Sequence, residues 1–159
     1  MGVPKTNSMR VLDAHKTPYE VYTYDPEIHS ADGVAAVLGL PASQVYKTLV
    51  VLHEKGKPLL VMVAADRELD LKRLARSVGE KRLNMAPHKE AERLTGLRVG
   101  GISALALLNR GFEILIDKPA LAFEHIYVSA GQRGIDLRLR VEDLIQVTGA
   151  KIVEATAND

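Results

Sequence analysis

The sequence predicts one mixed α/β domain over residues 1–159, built on a mixed sheet rather than a regular parallel one. Three observations carry that prediction. Segments with strand alternation outnumber those with helical spacing, their intervals are irregular, and two of them are joined by a link short enough for a hairpin.

In chain order, residues 9–15 (Met9, Val11, Leu12) suit a short helix ending before Pro18. Residues 19–24 alternate as a strand stopped by Asp25-Pro26. Ser30 is placed to cap a helix over Ala31–Leu38, closed by Gly39. Strands follow at 45–52 and Leu59–Ala64, linked by His53-Glu54-Lys55-Gly56-Lys57-Pro58. Asp70 starts an amphipathic helix with Leu71, Leu74, Ala75 and Val78 on its apolar stripe and Gly79 at its end. Pro87 opens another in its first turn, with Ala91 and Leu94 inward and Gly96 as the stop. Strands are expected at 112–116, 125–128 and 135–139, then a helix at Val141–Thr148 and a short segment at 152–153.

Composition narrows the function classes. A chain of 159 residues can bury a core without staples. With no cysteine there is no disulfide, thiolate nucleophile or cysteine metal site, which suits the cytoplasm. The net charge of +1 makes no global demand for a polyanion. No apolar run reaches membrane-helix length, and the N-terminus lacks a signal-peptide core. Without tryptophan, and with Phe112 and Phe123 the only phenylalanines, a base-stacking platform is not expected. His15, His29, His53, His88 and His125 show no metal-ligand spacing, so neither a metal nor a cofactor is expected.

Lys47 is the conspicuous residue. Strand alternation puts it on one face with Val45, Leu49 and Val51, where an ammonium is costly without a partner or ligand. It is either a guard on an edge strand or a charge placed for function. Two glycine loops join it as candidates. Gly100-Gly101-Ile102-Ser103 is either a plain turn or a main-chain cradle for an oxygen, with Ser103 adding a hydroxyl. The loop from Ser129 to Asp136, with Gly131, Arg133 and Gly134, is either a strand connection or a cradle with Asp136 as charge partner. A basic face spans residues 67–98, with nine Lys/Arg against five Asp/Glu. Lys72, Arg73 and Arg76 oppose the apolar stripe, and Lys81 and Arg82 follow; such a face is either solvated or set against RNA phosphates.

Taken in order, Tyr22-Thr23-Tyr24-Asp25-Pro26, Val45-Tyr46-Lys47-Thr48-Leu49-Val50, Gly100-Gly101-Ile102-Ser103 and 128–136 resemble the YbaK/EbsC-type aminoacyl-tRNA deacylases. These are relatives of the editing domain of bacterial prolyl-tRNA synthetases, and the resemblance runs from about Met9 to about Val153. It implies a curved, barrel-like mixed sheet flanked by helices, an open pocket, and metal-free hydrolysis of the ester of mischarged tRNA. The implied substrate is Cys-tRNA(Pro) or a tRNA carrying another small residue such as alanine, and prolyl-tRNA synthetase is an implied partner. By motif, Lys47 falls on the family's functional lysine, with Tyr22, Gly100, Gly101, Ser103, Ser129, Gly131 and Asp136 around the pocket. Ala104 departs from the family's Gly-Gly-x-Ser-Pro and bears on amino-acid preference.

The implied chemistry sets the ester carbonyl near Gly100, Gly101 and Gly131, whose N–H groups would hold the developing oxyanion. Lys47 is expected as a fixed charge rather than a base, since an ordinary lysine titrates near ~10.4. The tRNA 2′-hydroxyl or a cysteine thiol would assist the cleavage. The alternatives are Schiff-base chemistry at Lys47 and a non-catalytic tRNA- or synthetase-binding module of the same fold.

Overall fold

A computed structural model describes residues 3–54 and 56–157. Its strands form two open sheets. The smaller has the order β1-β7-β6, from Glu20–Thr23, Ile135–Arg140 and His125–Ser129, all antiparallel. The larger has the order β4-β2-β3-β5-β8, from Leu83–Met85, Tyr46–His53, Leu59–Ala64, Glu113–Asp117 and Lys151–Val153. Here β2 pairs antiparallel with β3 and β4, while β3, β5 and β8 run parallel. The mixed α/β expectation therefore holds, hairpin pairing included.

The barrel-like detail does not hold. Among the described residues the sheets meet at one parallel bridge, Val45 to Tyr127. β1 and the three-residue β8 remain as outer strands, so neither sheet closes on itself.

Every residue of β3 is buried, as befits a strand with neighbours on both sides and cover on both faces. One face carries Leu60, Met62 and Ala64 and packs with helix α1 (Asn7–Ala14) through Met9 and Leu12, and helix α5 (Val141–Thr148) through Leu144. Full burial of a leucine such as Leu12 stabilises the fold by roughly 2 kcal/mol. The other face, with Leu59, Val61 and Val63, belongs to a second cluster, and a third lies at the junction of the sheets. α3 (Leu71–Val78) covers Val51, Val61 and Val63, whereas α2 (Ala31–Leu38) covers Val45 and Tyr127. α4 (His88–Thr95) adds Ala91 to the main core.

Local chemistry sets the helix ends. Ser30 and Asp70 accept hydrogen bonds from Gly33 and Arg73 N–H, and Gly39 and Gly79 close their helices in the left-handed region. α1 begins before the expected Met9, because Thr6 caps it by accepting from Met9 N. Pro87 sits one residue before α4, outside its first turn.

Candidate active site

The site lies in the seam between the two sheets. Along one flank β2 is paired with β3 from Tyr46 to Val51. On the other flank its neighbours are β6, through the Val45–Tyr127 bridge, and β4, whose register begins at Val51. The nearest further contact there is the Ala86 N–H donating to the Val50 carbonyl. Between these points, among the described residues, no strand lies alongside β2. The opening is a cavity of about 220 Å³, bounded by the start of α2, by α4 and by the Gly100 loop. Lys47 falls on this open stretch of β2 and lines the cavity there, so the stretch that an edge guard would protect is also the wall of the site.

Lys47 lines this cavity and is half-buried. Among the described residues its ammonium has neither a hydrogen-bond nor an ion-pair partner. Desolvation without compensation costs free energy, so such a charge is poised for an anion or a polarised oxygen.

Asp136 is the second charged group in the seam, 4% exposed. In β7 it stands opposite both Tyr22 of β1 and Ser129 of β6, so the three share a sheet face. No basic side chain pairs with it among the described residues, and burial pushes its carboxyl up to about 7. The Tyr24 hydroxyl approaches it at 3.5 Å and is itself pushed up to about 12, mainly by burial. Tyr24 lines the cavity, as does Ser129. Tyr22 does not: its ring packs edge-on against Tyr127, with centroids 5.2 Å apart.

The two glycine loops interlock. Gly100 has φ +93°, and a Cβ there would meet the His29 carbonyl at 3.0 Å. A Cβ on Gly101 would lie 2.8 Å from Arg133 N, so only glycine lets the loops touch. The Gly101 N–H donates to the Arg98 carbonyl, and the Gly131 N–H donates to Ser129 Oγ. Of the three expected oxyanion donors, two are thus engaged within their own loops. Gly100 lines the cavity, and Gly101 and Gly131 line a neighbouring groove.

Ser103 and Ala104 point elsewhere. The Ser103 hydroxyl accepts from Ser8 of α1 at 2.9 Å, and both serines are buried. Ala104 is packed in the main core and lines no part of the cavity. The basic face is also apart from it. Lys72, Arg76, Lys81 and Arg82 are exposed, Arg73 pairs with Glu154 at 3.0 Å, and none of the five lines the cavity.

The structure adds cavity residues that sequence reasoning missed: Tyr24, His29, Asp32 and His88. Only Tyr24 carried a signal, since period-2 alternation places it on the face of Tyr22. No group of three or more His, Cys, Asp or Glu side chains is arranged to hold a metal among the described residues.

Comparison with known proteins adds five findings. The aminoacyl-tRNA editing domain family model matches residues 25–147. A protein of Enterococcus faecalis named as a Cys-tRNA(Pro)/Cys-tRNA(Cys) deacylase, EbsC, is 35% identical over 157 residues, spanning 98% of this chain and 95% of its own. A proline–tRNA ligase of Thermodesulfovibrio yellowstonii is 41% identical over 81 residues, which are 51% of this chain and 14% of the ligase. Among solved structures, one described as a trans-editing enzyme for prolyl tRNA synthetase superposes with a TM-score of 0.81 at 25% identity, over 99% of this chain and 100% of that one. A hypothetical protein superposes at 0.87 and 23% identity, covering 95% and 99%, which bears on the fold alone.

Proposed function

This chain belongs to the aminoacyl-tRNA editing domain family, and from that premise we propose how its seam works as an aminoacyl-tRNA deacylase site. The protein is a hydrolase acting on the ester that joins an amino acid to tRNA. Its substrate, on this reading, is Cys-tRNA(Pro) or tRNA(Pro) carrying another small residue such as alanine. On this reading the reaction proceeds without a metal.

The observation that carries the mechanism is the unpartnered Lys47 ammonium on the cavity wall. The 3′-terminal aminoacyl-adenosine enters the seam with its ester carbonyl near Gly100. Water attacks the carbonyl carbon, assisted by the substrate's own 2′-hydroxyl or thiol, and forms the tetrahedral intermediate. Its oxyanion is held by Lys47 and by the Gly100 N–H, which makes no hydrogen bond among the described residues. The bond from that carbon to the ribose 3′-oxygen then breaks, and the leaving oxygen takes a proton. Asp136 receives the substrate α-ammonium, and a bound cation lowers a carboxyl raised by burial, favouring the ionised form. The role of Lys47 is electrostatic anchoring rather than nucleophilic attack.

Selection acts by size. Each methylene changes discrimination by only about 1–3 kcal/mol, so a second hydrolytic sieve that excludes larger groups has a clear use. The exposed Lys72, Arg76, Lys81 and Arg82 contact the tRNA body, with Arg73 held beside them by Glu154. The engaged N–H groups of Gly101 and Gly131 assign these glycines to loop shape. Prolyl-tRNA synthetase, as supplier of mischarged tRNA(Pro), is the proposed partner.

The test is a deacylation panel with purified protein on Cys-, Ala- and Pro-charged tRNA(Pro). Turnover of Cys- or Ala-tRNA(Pro) is expected. Salt-dependent binding of these tRNAs with no hydrolysis of any would instead make the chain a binding module.

A further inference from the structure

A second groove lies across the Gly100-Gly101 ridge from the cavity. It is a hollow of about 420 Å³ that shares His29 with the cavity and has Gly101, Gly131, Arg98 and Arg133 along its walls. We propose that this groove holds a phosphodiester of the tRNA acceptor strand, on the 5′ side of the terminal adenosine whose ester sits in the seam. The inference rests on the deacylase reading and adds a subsite to it.

Three observations point this way. Arg133 is half-buried, and its Nε donates to the Val99 carbonyl at 2.8 Å, which orients the guanidinium and leaves its two terminal nitrogens as donors. Neither Arg133 nor Arg98 has a carboxylate partner among the described residues, unlike Arg73, Arg93, Arg138 and Arg140. A planar fork with free paired donors matches a phosphate in geometry as well as charge. The ridge is also thin: Gly100 faces the cavity while Gly101 faces the groove, so adjacent parts of one ligand can occupy both. The single acid on the groove, Glu27, stands beside Pro26 on its wall and makes no ion pair among the described residues. Its carboxylate repels an incoming phosphate, and the two unpaired arginines on the same groove outweigh it.

This assignment differs from the basic face on α3. That face is solvated and lines neither hollow, so it can attract tRNA without fixing the register of its end. Arg133, held by a main-chain carbonyl beside the Gly101 contact, is built to fix it.

The experiment compares wild type, Arg98→Gln and Arg133→Gln on two substrates: alanyl- or cysteinyl-tRNA(Pro), and the corresponding aminoacyl-adenosine, which lacks the phosphodiester. Each substitution is expected to raise KM for the charged tRNA about tenfold. Each is also expected to reduce the slope of log affinity against log salt by about 0.7, the value for one single-strand phosphate contact. Hydrolysis of aminoacyl-adenosine keeps its kcat/KM. Arg98 is exposed, so its variant folds as wild type, and an unchanged KM for charged tRNA in that variant overturns the groove. Equal losses on both substrates in Arg133→Gln overturn the phosphate role of Arg133. Inactivity of the wild type on both substrates contradicts the deacylase reading itself, and the subsite with it.

Discussion

The buried carboxyl of Asp136 makes stability depend on pH in a direction opposite to that of most carboxylates. In the folded protein it titrates at about 7, raised by burial, whereas an unfolded aspartate titrates near its ordinary value of 3.8. The folded state therefore holds the proton more tightly than the unfolded chain. Stability from this group is fully present below about 4 and is lost as pH rises towards about 7. Roughly three pH units at 1.36 kcal/mol each give a total loss of about 4 kcal/mol. Asp136→Asn keeps the shape and removes the titration. Between pH 5 and pH 8 the stability of the variant should improve relative to wild type by about 2–3 kcal/mol, since part of the loss has already occurred at pH 5. Urea unfolding of both proteins at the two pH values measures this difference, and constant effects of the substitution cancel. A difference that stays flat with pH would refute the buried, unpaired state of Asp136.

Three further variants have stated outcomes. Gly101→Ala puts a Cβ 2.8 Å from Arg133 N, where backbone must shift, so thermal unfolding should report a loss of about 1–3 kcal/mol. Asp117, 1% exposed, accepts from Ala155 N and Thr156 Oγ1; Asp117→Ala strands both donors and should cost about 2–4 kcal/mol by urea unfolding. The same variant should speed amide exchange of Ala155, whose N–H loses its acceptor, before that of β3. The double substitution of Lys81 and Arg82 by alanine should weaken tRNA binding in a salt-dependent way while leaving aminoacyl-adenosine hydrolysis unchanged.

Most of the fold was legible because its signals are local. Leu59–Ala64 reads as a buried strand from its unbroken apolar run, and Asp70 with Gly79 brackets α3. β4 was missed because Leu83–Met85 is three residues long with only Leu83 buried, too short for alternation to register. The position of β2 inside its sheet depends on β4 and on the Val45–Tyr127 bridge, both non-local, so spacing alone left Lys47 between two readings. The site shows the same division. Lys47, Asp136, Ser129 and Gly100 were identifiable and do line one cavity. Ser103 looked like a site hydroxyl because it follows two glycines, yet its partner is Ser8, ninety-five residues away. Tyr22 and Tyr24 share a face, and only the chain's course past Asp25-Pro26 decides which ring reaches the cavity. His29 and His88 carried no pattern at all, since both sit where helices start near the seam.

The central claim is that the unpartnered Lys47 ammonium stabilises charge developing on the ester. Single-turnover hydrolysis of Cys- or Ala-tRNA(Pro), with enzyme in excess, tests it directly in Lys47→Met, which keeps the aliphatic stem and removes the charge. The rate constant should fall by about 10²–10³, the cost of deleting one oxyanion donor, with the fold verified by unchanged thermal unfolding. A folded Lys47→Met protein that hydrolyses its substrate at the wild-type rate would contradict the account.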